Sequence, residues 1–143
     1  MKLKSEFFLK RGMTMIETAV NLMYDGKWEE SIKESFKAAR THCAALLVSL
    51  GGDPENGGLA RLLGKIESSG GRKVPEDLLA RSRKLDRMYL LIRKQTASRL
   101  GWSDYPDEEQ CSDMIHNARS IVKYCLGGMN RSHSNNKPVD EEE

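Results

Sequence analysis

Apolar residues recur every three or four positions along most of the chain, the spacing that places side chains on one face of an α-helix. The longest run predicts a helix over residues 27–50, followed by a pair of glycines. Its apolar positions are Trp28, Ile32, Phe36, Ala39, Cys43, Leu46 and Leu50. The same spacing predicts an earlier helix over residues 5–24, which the Asp25–Gly26 pair terminates. These two helices are expected to form a hairpin.

Three more helices are predicted in the remainder of the sequence. A short one covers residues 59–67 and is expected to break at or near Gly64. A long helix over residues 75–99 and a last one over residues 106–128 each begin with a proline, which suits a first helical position, and acidic residues follow it. No segment alternates apolar and polar residues as a strand does. The predicted fold is therefore all-α, an up-and-down four-helix bundle with one additional short helix.

The C-terminal residues lack an apolar period. From Met129 onward the sequence is polar and ends in an acidic cluster, a composition typical of disorder. We therefore predict a helical domain over residues 1–128 and a disordered acidic tail over residues 129–143. At 143 residues the chain has the length of one compact domain.

Charge is unevenly distributed, although the net charge is only +2. Between Arg72 and Arg99 nine basic residues face three acidic ones. Helical spacing puts Arg83, Arg87 and Lys94 on one side of the fourth predicted helix, opposite its apolar stripe. Guanidinium and ammonium groups in a row can bind successive phosphates, so this face is a candidate RNA- or nucleotide-binding surface. An ordinary solvated helix face has the same pattern.

Aromatic residues that could stack on bases are few. Trp102, in the loop before the last helix, is the better candidate because a loop aromatic need not be buried. Its alternative role is to pack against the last helix. Tyr89, within the basic segment, is expected to belong to the core.

Metal and cofactor chemistry is not indicated. The three cysteines lack CxxC spacing, which argues against a zinc site and a disulfide framework, so we expect reduced thiols. No Walker loop, GxGxxG or HExxH motif occurs, and no cofactor is expected. The N-terminal segment is interrupted by charged residues and resembles neither a signal peptide nor a membrane span, so a cytoplasmic location is predicted.

The order of these segments resembles the HEPN superfamily, in particular its small stand-alone members. The resemblance rests on a "DGKW" turn, on a small-residue second helix "SFKAARTHCAALLVSLGG", on "VPEDLLARSRKLDRMYLLIRKQ" and on "PDEEQCSDMIHNARSIVKYC". It implies a bundle of four or five helices that commonly forms homodimers. Many members of the superfamily are RNA-cutting toxins, others pair with a nucleotidyltransferase in systems of toxin–antitoxin type, and some bind RNA or nucleotides.

The RNA-cutting members carry an arginine followed by a histidine, with four to six residues between them. The resemblance places Arg93 at the family arginine, but no histidine follows it, and none of the chain's histidines has an arginine at the required distance. The resemblance therefore favours a non-catalytic binding module that uses Arg83, Arg87, Arg93, Lys94 and Trp102. Two alternatives remain: a metal-independent ribonuclease that pairs Arg93 with His116, and a helical adaptor that binds a protein.

Overall fold

The computed structural model describes residues 2–55, 57–70, 73–94 and 106–136. These residues contain helices and no strands, so the predicted all-α class is confirmed. Five helices lie in the described ranges: α1 (Lys2–Tyr24), α2 (Trp28–Ser49), α3 (Leu59–Gly70), α4 (Glu76–Lys94) and α5 (Glu108–Asn136). Four are long and α3 is short, as the sequence predicts for an up-and-down bundle with one additional helix. None of them has the length and apolar character that crossing a membrane requires.

Helix α2 is the centre of the bundle and contacts each of the other four helices. From Ala38 onward nearly every side chain of α2 is buried, because neighbours cover it on several sides. Alanine and serine are frequent on its buried surface, and small side chains let neighbouring helices approach closely. The Ser31 hydroxyl, for example, donates a hydrogen bond of 2.6 Å to the Ala19 carbonyl of α1. The predicted apolar stripe of this helix lies in the core from Ile32 to Leu46, and Trp28 and Leu50 at its ends are partly buried against it.

The two glycine stops predicted for α1 and α2 are confirmed in detail. Gly26 has φ of 80° and Gly51 has φ of 86°, a left-handed conformation that costs glycine little. After α1, the Lys27 N–H bonds to the Leu22 carbonyl at 2.9 Å and the Gly26 N–H to the Met23 carbonyl at 3.0 Å. The same pair of bonds follows α2. Each helix therefore ends in a Schellman motif, which satisfies carbonyl groups that the helix itself leaves unpaired.

Helix α3 differs from the prediction in that Gly64 does not break it. The helix runs without interruption from Leu59 to Gly70, and Gly64 lies exposed in its interior. The start of α3 is held by a neighbour, since Asp86 of α4 accepts hydrogen bonds from the Leu59 and Ala60 N–H groups. This tertiary cap, together with four buried apolar side chains, outweighs the roughly 1 kcal/mol cost of one glycine.

Helix α5 is longer than predicted. It does not end at the Gly127–Gly128 pair but continues to Asn136, so the first residues of the predicted tail are helical. Met129 explains the continuation, because it extends the stripe of Ile121 and Cys125 by one more turn and is only 2% exposed. Residues 137–143 and the last predicted turn of α4, residues 95–99, lie outside the described residues. The division into domain and disordered tail stays a prediction.

Candidate nucleic-acid interface

Helix α4 carries exposed basic side chains along one side and in its last turn, and we call them together the α4 basic face. Its members are Arg83, Arg87, Arg93 and Lys94, and all four are exposed. With 3.6 residues per turn, three of them, Arg83, Arg87 and Lys94, lie within about 40° of one another around the axis and span about 16 Å along it. The apolar residues Leu78, Leu85 and Ile92 are buried on the other side.

The acidic residues of α4 do not neutralise this face, because two of the three have partners elsewhere. Asp77 pairs with Arg81 at 3.1 Å. The carboxylate of Asp86 accepts two hydrogen bonds, of 2.8 and 3.2 Å, from the first N–H groups of α3. Glu76, at the start of the helix, is the third. The positive charge of the exposed face is therefore left largely uncompensated by its own helix.

The four basic side chains make no ion pair or hydrogen bond within the described part of the chain. The ion pairs found there join Arg81 to Asp77 and Lys37 to Glu34. Arginine and lysine in the last turn also complement the helix dipole, which gives Arg93 and Lys94 a structural role as well. Their charged groups nevertheless project into solvent, where a phosphate can reach them.

Two further residues of this surface were not singled out from the sequence. Lys84 is exposed beside Arg83, and Leu90 is 45% exposed between Arg87 and Lys94. The positions i+3 and i+7 from Arg87, occupied by Leu90 and Lys94, fall on one face of a helix, so the spacing contained the signal. An exposed leucine inside a row of cations offers an apolar contact to a sugar or base.

Of the two aromatic residues considered with the basic segment, Tyr89 packs against the core and Trp102 lies outside the described residues. Tyr89 stacks on Phe36 of α2, with ring centroids 3.9 Å apart and an interplanar angle of 7°. Tyr89 is half-buried and packs against the core, so it contributes to packing as predicted without being fully enclosed. Trp102, the predicted stacking residue, lies outside the described residues, so its role stays a prediction.

The structure does not bring Arg93 and His116 together in a shared pocket. His116 is exposed on α5 next to Asn117, whose side-chain oxygen accepts a hydrogen bond of 2.9 Å from Arg81. Arg93 lies about 18 Å further along α4 than Arg81, three helical turns away. The open pocket that His116 lines, about 1020 Å³ in volume, contains no residue of α4.

That pocket is acidic. Trp28 lines it, and carboxylates at and near the starts of α2 and α5 lie in it and in an adjoining depression. We call these carboxylates the acidic surface: Glu29, Glu30, Asp107, Glu108, Glu109 and Asp113. Negative charge of this density repels a phosphate backbone. In the described residues, no three histidine, cysteine or carboxylate side chains are grouped to hold a metal ion.

Comparison with protein families gives one clear result. The family model of the HEPN domain matches residues 5–129. The match covers α1 from its fourth residue, all of α2, α3 and α4, and most of α5. Comparison with curated proteins and with solved structures gave no match.

Proposed function

Because the chain belongs to the HEPN domain family, we propose that it is a non-catalytic domain that binds RNA, or a nucleotide with the same phosphates, through the α4 basic face. The observation that carries this proposal is the row of exposed cations whose helix leaves their charge uncompensated. Guanidinium groups bind phosphate oxygens in pairs, and each neutralised phosphate releases counterions to the solvent.

The proposal is tested by measuring the anisotropy of a labelled single-stranded RNA at several salt concentrations. Removal of three basic side chains by Arg83→Ala, Arg87→Ala and Lys94→Ala should weaken binding at low salt by about tenfold or more. The slope of log affinity against log salt changes by about 0.7 per phosphate contact on single strands, so the triple variant should lose about 2 from it.

A matched control removes the same charge from other places. Lys37, Arg61 and Lys123 are exposed on α2, α3 and α5, and their replacement by alanine changes the net charge equally. If binding depends on the α4 basic face, this control keeps the wild-type slope. Equal losses in both triple variants would mean that net charge alone attracts the RNA, and the proposal would be wrong.

The ribonuclease alternative needs a group that moves the 2′-hydroxyl proton and a cation that binds the same phosphate. His116 lies among carboxylates and apart from the α4 basic face, which favours binding over cutting. RNA recovered from the titration and run on a gel distinguishes the two functions. Intact RNA supports the binding module. RNA that is cut by the wild-type protein but left intact by His116→Ala supports the ribonuclease.

Family membership also supports a proposal about partners. HEPN domains often act as dimers or in toxin–antitoxin pairs, so we propose that this chain forms a homodimer or acts beside a nucleotidyltransferase. The absence of RNA binding at low salt would instead favour the adaptor alternative, in which α1 and α2 bind a protein.

A further inference from the structure

Two buried cysteine side chains meet in the core between α2 and α5. The Sγ atoms of Cys43 and Cys125 are 3.7 Å apart, and both residues are fully buried. None of the three cysteines forms a disulfide bond in this structure. Cys43 and Cys125 are separated by 82 positions in the sequence, so it is the fold that brings their thiols together.

The third cysteine, Cys111, is held away from this pair. Cys111 contacts the Trp28 carbonyl near the start of both α2 and α5, and Cys125 contacts Cys43 further along both helices. These two contacts show that α2 and α5 run in the same direction. Cys111 and Cys125 are fourteen residues apart on one helix, which corresponds to about 21 Å. Cys111 can therefore bond to neither member of the pair while the bundle is folded.

We propose that Cys43 and Cys125 are an oxidisable pair that forms a disulfide bond between α2 and α5 under peroxide stress. A disulfide requires the sulfur atoms to approach from 3.7 Å to about 2.05 Å, so the pair has to close by about 1.7 Å. The inference is independent of RNA binding, since neither cysteine belongs to the α4 basic face.

The chemistry balances with hydrogen peroxide as the oxidant. One thiol loses its proton and its sulfur attacks a peroxide oxygen; an S–O bond forms, the O–O bond breaks and hydroxide leaves. The second thiolate then attacks the resulting sulfenic sulfur, so that the S–S bond forms, the S–O bond breaks and a second hydroxide leaves. The two protons released convert both hydroxides to water. Two electrons pass from the sulfur atoms to the peroxide.

Burial makes this reaction slow in the closed bundle. The peroxide reaches the thiols only when α2 and α5 open locally, and the thiolate is the reactive form. Low concentrations of urea, below those that unfold the protein, should therefore accelerate the reaction. The product joins α2 to α5 covalently and constrains the unfolded chain across a long loop, so the oxidised protein should resist unfolding more strongly.

The test exposes the folded full-length chain to hydrogen peroxide, alkylates the remaining thiols in denaturant, and maps the peptides without reduction. The expected result is a linked Cys43–Cys125 peptide pair, Cys111 alkylated, a mass loss of two hydrogen atoms and a raised urea midpoint that dithiothreitol reverses. Linkage through Cys111, linkage between chains, or addition of oxygen to the cysteines without any linked pair would overturn the inference.

Matched variants keep the result interpretable. Cys111→Ala removes a buried cysteine outside the pair and should retain the linkage, whereas Cys125→Ala should abolish it. Circular dichroism checks that both variants are folded before oxidation. Loss of the linkage in Cys111→Ala, with the bundle intact, would count against direct pairing of Cys43 with Cys125.

Discussion

His42 shows how a single residue can make the stability of the bundle depend on pH. Its ring is fully buried between α1 and α2; Nδ1 donates to the Ala38 carbonyl at 2.9 Å, and Nε2 has no hydrogen-bond partner in the described structure. Burial lowers the pKa of His42, an effect that the bond to Ala38 partly opposes. The folded protein therefore favours the neutral ring more strongly than the unfolded chain does.

The expected consequence is a loss of stability in mild acid. Above the unfolded-state pKa of about 6.5 the ring is neutral in both states, and the full free energy of unfolding is present. As the pH falls below that value toward the lower pKa of the folded state, the unfolded chain binds a proton first. Stability then falls by up to about 1.4 kcal/mol per pH unit. Urea unfolding at about pH 7.5 and 5.5 measures the loss.

Two variants assign this effect to the buried ring. In His42→Gln the residue stays neutral at both pH values, so the part of the loss that His42 causes should disappear. His116→Gln changes an exposed histidine and should keep the wild-type difference. An undiminished loss in His42→Gln would mean that other groups cause the acid sensitivity.

At the scale of helices, glycine has opposite roles in α1 and α3. A Cβ added at Gly12 would overlap the ring of His42, so glycine is what allows α1 and α2 to pack closely there. A Cβ at Gly64 of α3 would meet nothing within 4 Å. Gly12→Ala should therefore destabilise the protein by about 1–3 kcal/mol, as overpacked sites do.

The matched substitution Gly64→Ala should instead stabilise the protein by about 0.5–1 kcal/mol, because alanine favours the helix and restricts the unfolded chain. Urea unfolding of both variants at the same pH gives the comparison. Equal effects in the two helices would show that helix propensity, rather than the contact with His42, decides the cost at position 12.

The helices and several of their ends were predictable from sequence, whereas the continuity of α3 across Gly64 and the extension of α5 depended on contacts between helices. Periodicity located the buried stripes of α2 and α4, and the glycine stops after α1 and α2 are local signals. The start of α3 was predicted at the right residue, but its continuity across Gly64 is helped by Asp86, a residue of another helix that caps α3. The extension of α5 depends on Met129, which is buried by neighbouring helices. A local pattern contains no information about either partner.

The candidate site was likewise predictable as far as it depends on residue spacing along one helix. Spacing alone placed Arg83, Arg87 and Lys94 on one exposed face. The spacing of Asp77 and Arg81 by four residues is itself a local signal of their ion pair. That Asp86 bonds to the start of α3 could not be seen, because packing between helices fixes that partner. The basic face is left uncompensated because these two carboxylates are engaged by Arg81 and by the start of α3.

The whole molecule combines this basic face with the acidic surface, although its net charge is small. Carboxylates in the first turn of a helix complement its dipole. Since α2 and α5 run in the same direction, their acidic first turns lie side by side around Trp28. A polyanion should therefore be attracted to one surface and repelled by the other, which orients RNA on the domain.

Neutralising the acidic surface tests this orientation. Glu30→Gln, Glu109→Gln and Asp113→Asn change three exposed residues and leave Asp107, which caps α5, in place. Affinity for single-stranded RNA should rise modestly at low salt, because repulsion is reduced. The salt slope should stay at its wild-type value, since it counts phosphates in contact rather than net charge. A steeper slope would place phosphates near Trp28 and His116, and would return His116 to consideration as part of a cutting site.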